Sequence, residues 1–504
     1  MKRALLAGAA GAVLLVVIVR CAWVCDDAFI TLRTIDNLVN GHGLRWNIAE
    51  RVQTFTHPLW MLLLTAFYTL TREPYYTTLV VSVLLSGVVA WLVAARVARS
   101  VIGALLALVI LILSKAFVDY STSGLENPLS HLLLVLFILI LIRGEDGERQ
   151  PLALTLVAGL ALTNRMDLLL VVLPGLVGSL RALPAKRALR VIAIGLAPFL
   201  VWELFALIYY GAPFPNSAYA KLATGIPRTA LIRQGLLYFV NSLRVDPVTL
   251  CVIGAAAAFA VRRRCREELL LMAGAGSYLA YVLFIGGDFM SGRFFSVPLI
   301  VAAAVLSRWR PAKPGFFEML PFVVLILPGL ADPAAPPFSD ANYADRQRGR
   351  RSDAARITDE RAFYYNETGL LRAGRGDAPM PDHPSAHDGR RAREGGPAVV
   401  VRGGVGFFGY YAGPAVHIVE PWAVTDPLLA RLPIPDGAPW RIGHFTRAIP
   451  RGYEETLATG EIRLTDPRIA RLYSALDIVI RGPLFRGRRM VEIWRLNTGF
   501  YGEE

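Results

Sequence analysis

Asp26 and Asp27 stand side by side where the first apolar stretch, Leu5 to Val24, gives way to Asp26-Asp-Ala-Phe-Ile-Thr-Leu-Arg33. Ionised groups at bilayer depth cost about 2.5–3.5 kcal/mol each on insertion scales, so an acidic pair at a membrane edge reads as functional. A carboxylate placed there can take the proton of a hydroxyl or stabilise a developing cation. The competing reading is structural, because an Asp ahead of Ala28–Val39 can cap a helix by accepting backbone N–H bonds.

Further polar clusters interrupt the apolar chain: Asn40-Gly-His-Gly-Leu-Arg-Trp-Asn47, Glu50-Arg-Val-Gln-Thr-Phe-Thr-His-Pro-Leu-Trp60, Ser123-Gly-Leu-Glu126, Thr163-Asn-Arg165-Met-Asp167, Phe214-Pro-Asn-Ser-Ala-Tyr-Ala-Lys221 and Gly286-Gly-Asp288-Phe-Met-Ser-Gly-Arg293. Arg165, Lys221 and Arg293, with Arg33 and Arg45 behind them, are cations able to hold a phosphate. Ion pairing with Asp167 or Asp288 is their alternative use. Glu126 and Asp288 are second carboxylates that could orient a bound substrate. A divalent cation, Mg2+ or Ca2+, is an open option beside them, although no tight ligand spacing demands one. Glu126 also precedes Asn127-Pro128 at a helix start, where dipole complementarity accounts for it. His57, just before Pro58, has the setting of a structural hydrogen-bonder.

The elements that must position these groups are membrane helices. The chain has 504 residues, 54% hydrophobic and 18% charged, against roughly 45–50% and 25% in soluble domains. Apolar segments centre near 4–22, 58–70, 77–95, 100–114, 128–143, 151–162, 168–180, 190–210, 247–261, 268–285, 294–307 and 316–330. Several fall short of the ~20 residues that span a bilayer. The basic clusters Arg181–Arg190, Arg262–Arg266 and Arg308–Lys313 lie between apolar runs and read as cytoplasmic. That choice puts the N-terminus inside, every polar cluster above outside, and the chain after 330 outside, with about eleven spans. Arg96 and Arg99 conflict with counting both 58–70 and 77–95 as full spans. The expected architecture is therefore a polytopic α-helical membrane domain, residues 1–330, followed by an extracytoplasmic mixed α/β domain, residues 331–504.

The net charge of +14 follows from these cytoplasmic clusters, and no nucleic-acid motif accompanies it. Of the four cysteines, Cys21, Cys25, Cys251 and Cys265, the first two read as buried free thiols. After residue 330, Pro397–Arg402 and Ala475–Arg481 read as buried strands, and 381–396 as a flexible loop. Gly403-Gly-Val-Gly-Phe-Phe-Gly-Tyr-Tyr-Ala-Gly413 lacks phosphate-loop spacing and reads as a turn. Glu420-Pro-Trp-Ala-Val-Thr-Asp426 and His444 could shape a binding groove.

Taken together, Asp26-Asp27-Ala-Phe-Ile with Arg33, Gly41-His-Gly-Leu-Arg-Trp-Asn47 into Glu50-Arg51, Ser123-Gly-Leu-Glu126, the Arg165/Asp167 pair, Pro215-Asn-Ser-Ala-Tyr-Ala-Lys221 and Gly286-Gly-Asp288 to Arg293 resemble the GT-C superfamily of integral-membrane glycosyltransferases. The likeness is nearest to the mycobacterial terminal arabinofuranosyltransferases and their bacterial relatives. Thr56-His57-Pro58 and Met166 depart from the arabinosyl pattern. The resemblance implies transfer of a glycosyl unit from a polyprenyl-phosphate-linked sugar to a cell-envelope glycan or glycolipid on the outer face of a bacterial inner membrane. It implies Asp26 as general base with Asp27 behind it, and Arg165, Lys221, Arg293, Arg33 and Arg45 on the donor phosphate. His57, Glu126, Asp167, Asn216, Tyr219 and Asp288 would then contact substrate. The rival reading is a transporter or flippase of a lipid-linked saccharide, which would usually show inverted repeats. A third is a non-catalytic protein that binds polyprenyl lipid.

Overall fold

The computed structural model describes residues 2–144, 147–222, 224–311, 326–349, 351–374 and 379–501, with side chains from residue 7 onward. It is predominantly helical. Among the described residues, Tyr75–Val97 and Arg266–Phe284 are long and apolar enough to cross a membrane. Two bent pairs, Ala185–Gly195 with Ala197–Tyr209 and Arg228–Val245 with Pro247–Arg263, reach that length only when each counts as one span. The remaining apolar helices, among them Val101–Leu113, Asn127–Arg143 and Ser296–Ser307, are shorter. Of the two segments in conflict over topology, Tyr75–Val97 has spanning length, whereas Pro58–Thr71 has 14 residues. The expected segment 316–330 lies largely outside the described residues.

The chain folds as two compact units that interleave along the sequence. The first comprises 1–25, 75–199 and 227–380; the second comprises 26–74, 200–226 and 381–504. Residues 331–380 thus group with the apolar helices, and 26–74 and 200–226 with the C-terminal part, a division that crosses the expected 330/331 boundary. In the first unit, Ser296–Ser307 is buried along its whole length. Its apolar surface is covered by neighbouring helices on every side.

The second unit contains the two strands found among the described residues. β1, Ala398–Val401, pairs in parallel with β2, Val416–Val419. Parallel neighbours need a crossover, and the short helix Gly406–Ala412 supplies it. Trp46, Val405, Phe408, Ala412, Val416 and Ile418 form one apolar core. A second core gathers Ala220, Val419, Leu428, Leu429, Tyr453, Tyr473, Leu476 and Ile480.

Two expectations for this region are corrected. Ala475–Arg481 is not a strand but the end of the helix Pro467–Arg481, whose inward face carries Tyr473, Leu476, Val479 and Ile480. Asp466 caps it by accepting from the N–H groups of Arg468 and Ile469, with Pro467 at the first position, where a missing N–H is harmless. Residues 381–396 are likewise ordered: Pro384–Glu394 is a helix, capped by His383 Nδ1 accepting from Ser385 N at 3.1 Å.

Candidate active site

Asp26 opens the helix Asp26–Val39 and is buried, 7% exposed. Its carboxylate reaches the crossover helix: Oδ2 accepts from Gly406 N at 2.9 Å and Oδ1 from Phe407 N at 2.7 Å. A Cβ on residue 406 would lie 1.7 Å from the Asp26 carbonyl oxygen and 2.9 Å from its Cγ. Only glycine lets the two helices meet so closely. The glycine run 403–413 is therefore a docking surface for Asp26–Val39, and these two N–H donors are what sequence reading missed. Its signal was present, in the glycine spacing, but a turn explained it equally well.

Burial pushes the Asp26 carboxyl up to about 6; the Phe407 and Gly406 N–H groups oppose the rise and Asp27 adds to it. At neutral pH the group is ionised yet close enough to its pKa to accept a proton, as a general base requires.

The other candidates of this unit divide into ties and open groups. Arg33 is 2% exposed and lies against the Trp46 ring, 4.5 Å from its centroid. It donates Nε to Trp46 O at 2.8 Å, Nη1 to Gly409 O at 2.7 Å and Nη2 to Val416 O at 2.8 Å. Those bonds tie the Asp26 helix to the middle of the crossover helix and to the start of β2. Arg45 donates to Ile48 O at 2.9 Å. His57 Nε2 pairs with Thr31 Oγ1 at 2.9 Å and Nδ1 with Thr56 Oγ1 at 3.3 Å. Asn216 Nδ2 donates to the carbonyls of Ala423, Val424 and Asp426 at 2.9, 3.1 and 3.0 Å. The Tyr219 ring sits 4.9 Å from the Arg431 guanidinium.

Lys221 differs from all of these. It is half-buried at the end of the helix Asn216–Leu222 and makes no hydrogen bond or ion pair among the described residues. Its charge acts on Glu420 and on His444. Glu420 is 2% exposed, and its Oε2 accepts from Thr425 N at 2.9 Å and Oγ1 at 3.2 Å. Burial raises Glu420 to about 7 against the pull of the Thr425 bonds and Lys221, with Asp27 pushing it further up. Burial, then Lys221 and Arg441, lower His444 to about 3, so its ring is neutral. Asp26, Asp27, Lys221, Glu420 and His444 thus belong to one electrostatic neighbourhood of the second unit.

The first unit holds the remaining candidates in a separate network. Glu126, 1% exposed, receives Arg165 Nη1 at 3.2 Å and Arg293 Nη2 at 3.1 Å on the same oxygen, Oε1. Arg165 also forks onto Asp167 and donates to Tyr278 Oη at 3.0 Å. Asp288 Oδ2 lies 3.5 Å from Arg293 Nη1, while its Oδ1 accepts from Phe289 N at 2.8 Å. Three carboxylates and two guanidiniums are thus joined in this network. A second buried network, absent from the sequence reading, joins Lys115, Asp119, Asp359 and Arg361 around Tyr343. Among the described residues no group of three or more His, Cys, Asp or Glu side chains could hold a metal ion.

No family model matches the chain. Among curated proteins it is similar to glycosyl-transferring enzymes of one kind, and the resemblance read from the motifs is borne out there. The terminal beta-(1->2)-arabinofuranosyltransferase of Mycobacterium tuberculosis is 29% identical over 403 residues, covering 69% of this chain and 63% of that protein. The enzyme of the same name from Corynebacterium glutamicum is 27% identical over 331 residues, covering 55% of this chain and 46% of that protein. The chain thus spans less than two thirds of the length of the curated relatives it matches. Among solved structures, ArnT from Cupriavidus metallidurans bound to undecaprenyl phosphate matches with a TM-score of 0.49 and 14% identity, covering 82% of this chain and 85% of that one.

Proposed function

We propose that this chain is a multi-pass bacterial inner-membrane glycosyltransferase, with about eleven spans and the polar clusters on the outer face. It moves a glycosyl unit of the arabinofuranosyl class from a polyprenyl-phosphate donor to an envelope glycan or glycolipid. Asp26 takes the proton of the acceptor hydroxyl as that oxygen bonds to the anomeric carbon. The bond from the anomeric carbon to the phosphate oxygen breaks, and the polyprenyl phosphate leaves with the electron pair. Lys221, held without a counter-ion among the described residues, offsets the charge on the departing phosphate, an electrostatic contribution strongest where water is excluded. Arg33 and Asn216 act as positioning residues: they fix the Asp26 helix and the Glu420 turn. The Glu126, Arg165, Asp167, Arg293 and Asp288 network contributes a rigid frame in its own unit.

The observation that carries this reading is the Asp26 carboxylate, buried, aimed by two backbone N–H groups and poised near pH 6, in a neighbourhood that holds a lysine with no ion pair among the described residues. The names of the curated relatives support the reaction class. The test is transfer by the full-length protein in nanodiscs, with polyprenyl-phosphoryl-arabinofuranose and an arabino-oligosaccharide. The expected product is the acceptor heavier by one pentose. No product, together with movement of the lipid-linked sugar across proteoliposomes, would establish a flippase instead.

A further inference from the structure

The turn after β2 is built to present one aromatic ring. Glu420 and Ala423 are buried, whereas Trp422 between them is only half-buried. Ala423 has φ +62°, a left-handed conformation that strains any residue with a side chain and persists only where the surroundings enforce it. They do so from three directions. Ala423 N donates to Glu420 O at 2.9 Å, Arg447 N to Pro421 O at 2.8 Å, and Asn216 Nδ2 holds the carbonyls that follow. Strain held this firmly marks a position where side-chain direction matters.

The indole is wedged in place. His444 meets it edge-on, with ring centroids 4.5 Å apart at 86°. Gly403 lies on it closely enough that a Cβ there would stand 3.3 Å from Cη2 and Cζ2. Its Nε1–H, by contrast, donates to no described residue, and Glu420 Oε1 accepts from none. Gly403 is three residues before Gly406, whose N–H holds Asp26. The ring thus packs on the same glycine run that binds Asp26, and Lys221 acts on both Glu420 and His444.

We infer that Trp422, braced by His444 and Gly403 and flanked by Glu420, is the platform on which the acceptor sugar rests. The inference builds on the glycosyl-transfer reading and assigns its acceptor subsite. The chemistry selects a sugar over the donor's other parts. A polyprenyl tail would meet a buried carboxylate and an unused N–H donor with nothing to satisfy them. A phosphate finds its cation in Lys221 and would gain nothing from the Glu420 carboxylate beside the ring, which only accepts. A sugar ring presents C–H groups to the indole and hydroxyls to the N–H and to Glu420 Oε1, which leaves every group matched.

The test separates acceptor from donor in the full-length protein. Trp422→Ala should raise the acceptor KM about tenfold, the effect of losing one aromatic contact. Binding of a non-transferable polyprenyl-phosphate donor analogue should not change, and Trp422→Phe should restore most of the acceptor affinity. If the alanine variant fails to fold, quenching of tryptophan fluorescence by the oligosaccharide carries the test, since it should weaken in Trp422→Phe and would overturn the platform if unchanged there. An acceptor KM unmoved in both variants, or donor affinity lost in step with it, overturns the platform. Quenching of tryptophan fluorescence by the oligosaccharide alone distinguishes the two levels of the account. A protein that transfers nothing yet shows quenching that Trp422→Phe weakens keeps the platform and loses the reaction. One that transfers sugar with an unchanged acceptor KM in both variants keeps the reaction and loses the platform.

Discussion

Replacing Gly406 by alanine adds one methyl group where the structure has no room for it. The new carbon would lie 1.7 Å from the Asp26 carbonyl oxygen and 2.5 Å from its carbonyl carbon. These are backbone atoms, so no rotamer change relieves the overlap, and the two helices must separate by more than 1 Å. Overpacking of this kind costs about 1–3 kcal/mol. The separation also stretches the 2.9 and 2.7 Å bonds from Gly406 N and Phe407 N to the carboxylate, each worth about 1.5–3 kcal/mol as a hydrogen bond to a charged group. The combined loss of stability should be on the order of 3–5 kcal/mol, since such terms do not add fully. Misplacing a reacting group by about 1 Å lowers a rate by roughly 10²-fold. The N–H donors hold the Asp26 pKa below where burial alone would put it, so the acid limb of the pH–rate profile should move to higher pH. The assays are thermal unfolding followed by lipid order-insensitive near-UV signals, and transfer rate against pH. Wild-type stability and rate in Gly406→Ala would refute the docking of the glycine run on Asp26.

Three further outcomes follow from the same geometry. Asp26 must be ionised to take a proton, and burial raises it to about 6, so kcat/KM should be flat near neutrality and fall about tenfold per pH unit well below 6; activity that holds down to pH 4 contradicts this. Lys221→Met should raise the donor KM about 10–100-fold through the lost phosphate contact; its melting temperature should stay within a degree or two of wild type, since Lys221 makes no ion pair among the described residues. Arg33→Met removes three bonds to carbonyls and should lower stability by about 3–5 kcal/mol, while the donor KM of the folded fraction changes less than about threefold; a selective loss of donor affinity would return Arg33 to the phosphate.

What the chain discloses about itself depends on how local the determinant is. The apolar runs announce helices because composition alone specifies them, and Ala398–Val401 appears as a strand where Pro397–Arg402 predicts one. Ala475–Arg481 misleads because Ala-Leu-Asp-Ile-Val-Ile is rich in β-branched residues; the start signal at Asp466-Pro467 lies nine residues earlier and outweighs them. The pairing of Arg165 with Asp167 is legible from a spacing of two. Arg33 is not, because two of its acceptors, Gly409 and Val416, are more than 370 residues away. The same distance hides the bond from Gly406 to Asp26, and with it the role of the glycine run. Lys221 stands out among the proposed phosphate cations only once the partners of Arg33, Arg165 and Arg293 are seen.

The central claim is that Asp26 performs the proton transfer while the donor is held by other groups. Asp26→Asn keeps the side chain's size and removes its basicity, together with one of the two backbone N–H bonds, which an amide nitrogen cannot accept. The decisive measurement is single-turnover transfer from polyprenyl-phosphoryl-arabinofuranose by this variant, beside equilibrium binding of the same donor. Transfer slowed by at least about 10²-fold with donor affinity within about threefold of wild type is the predicted result. Transfer at the wild-type rate would contradict it.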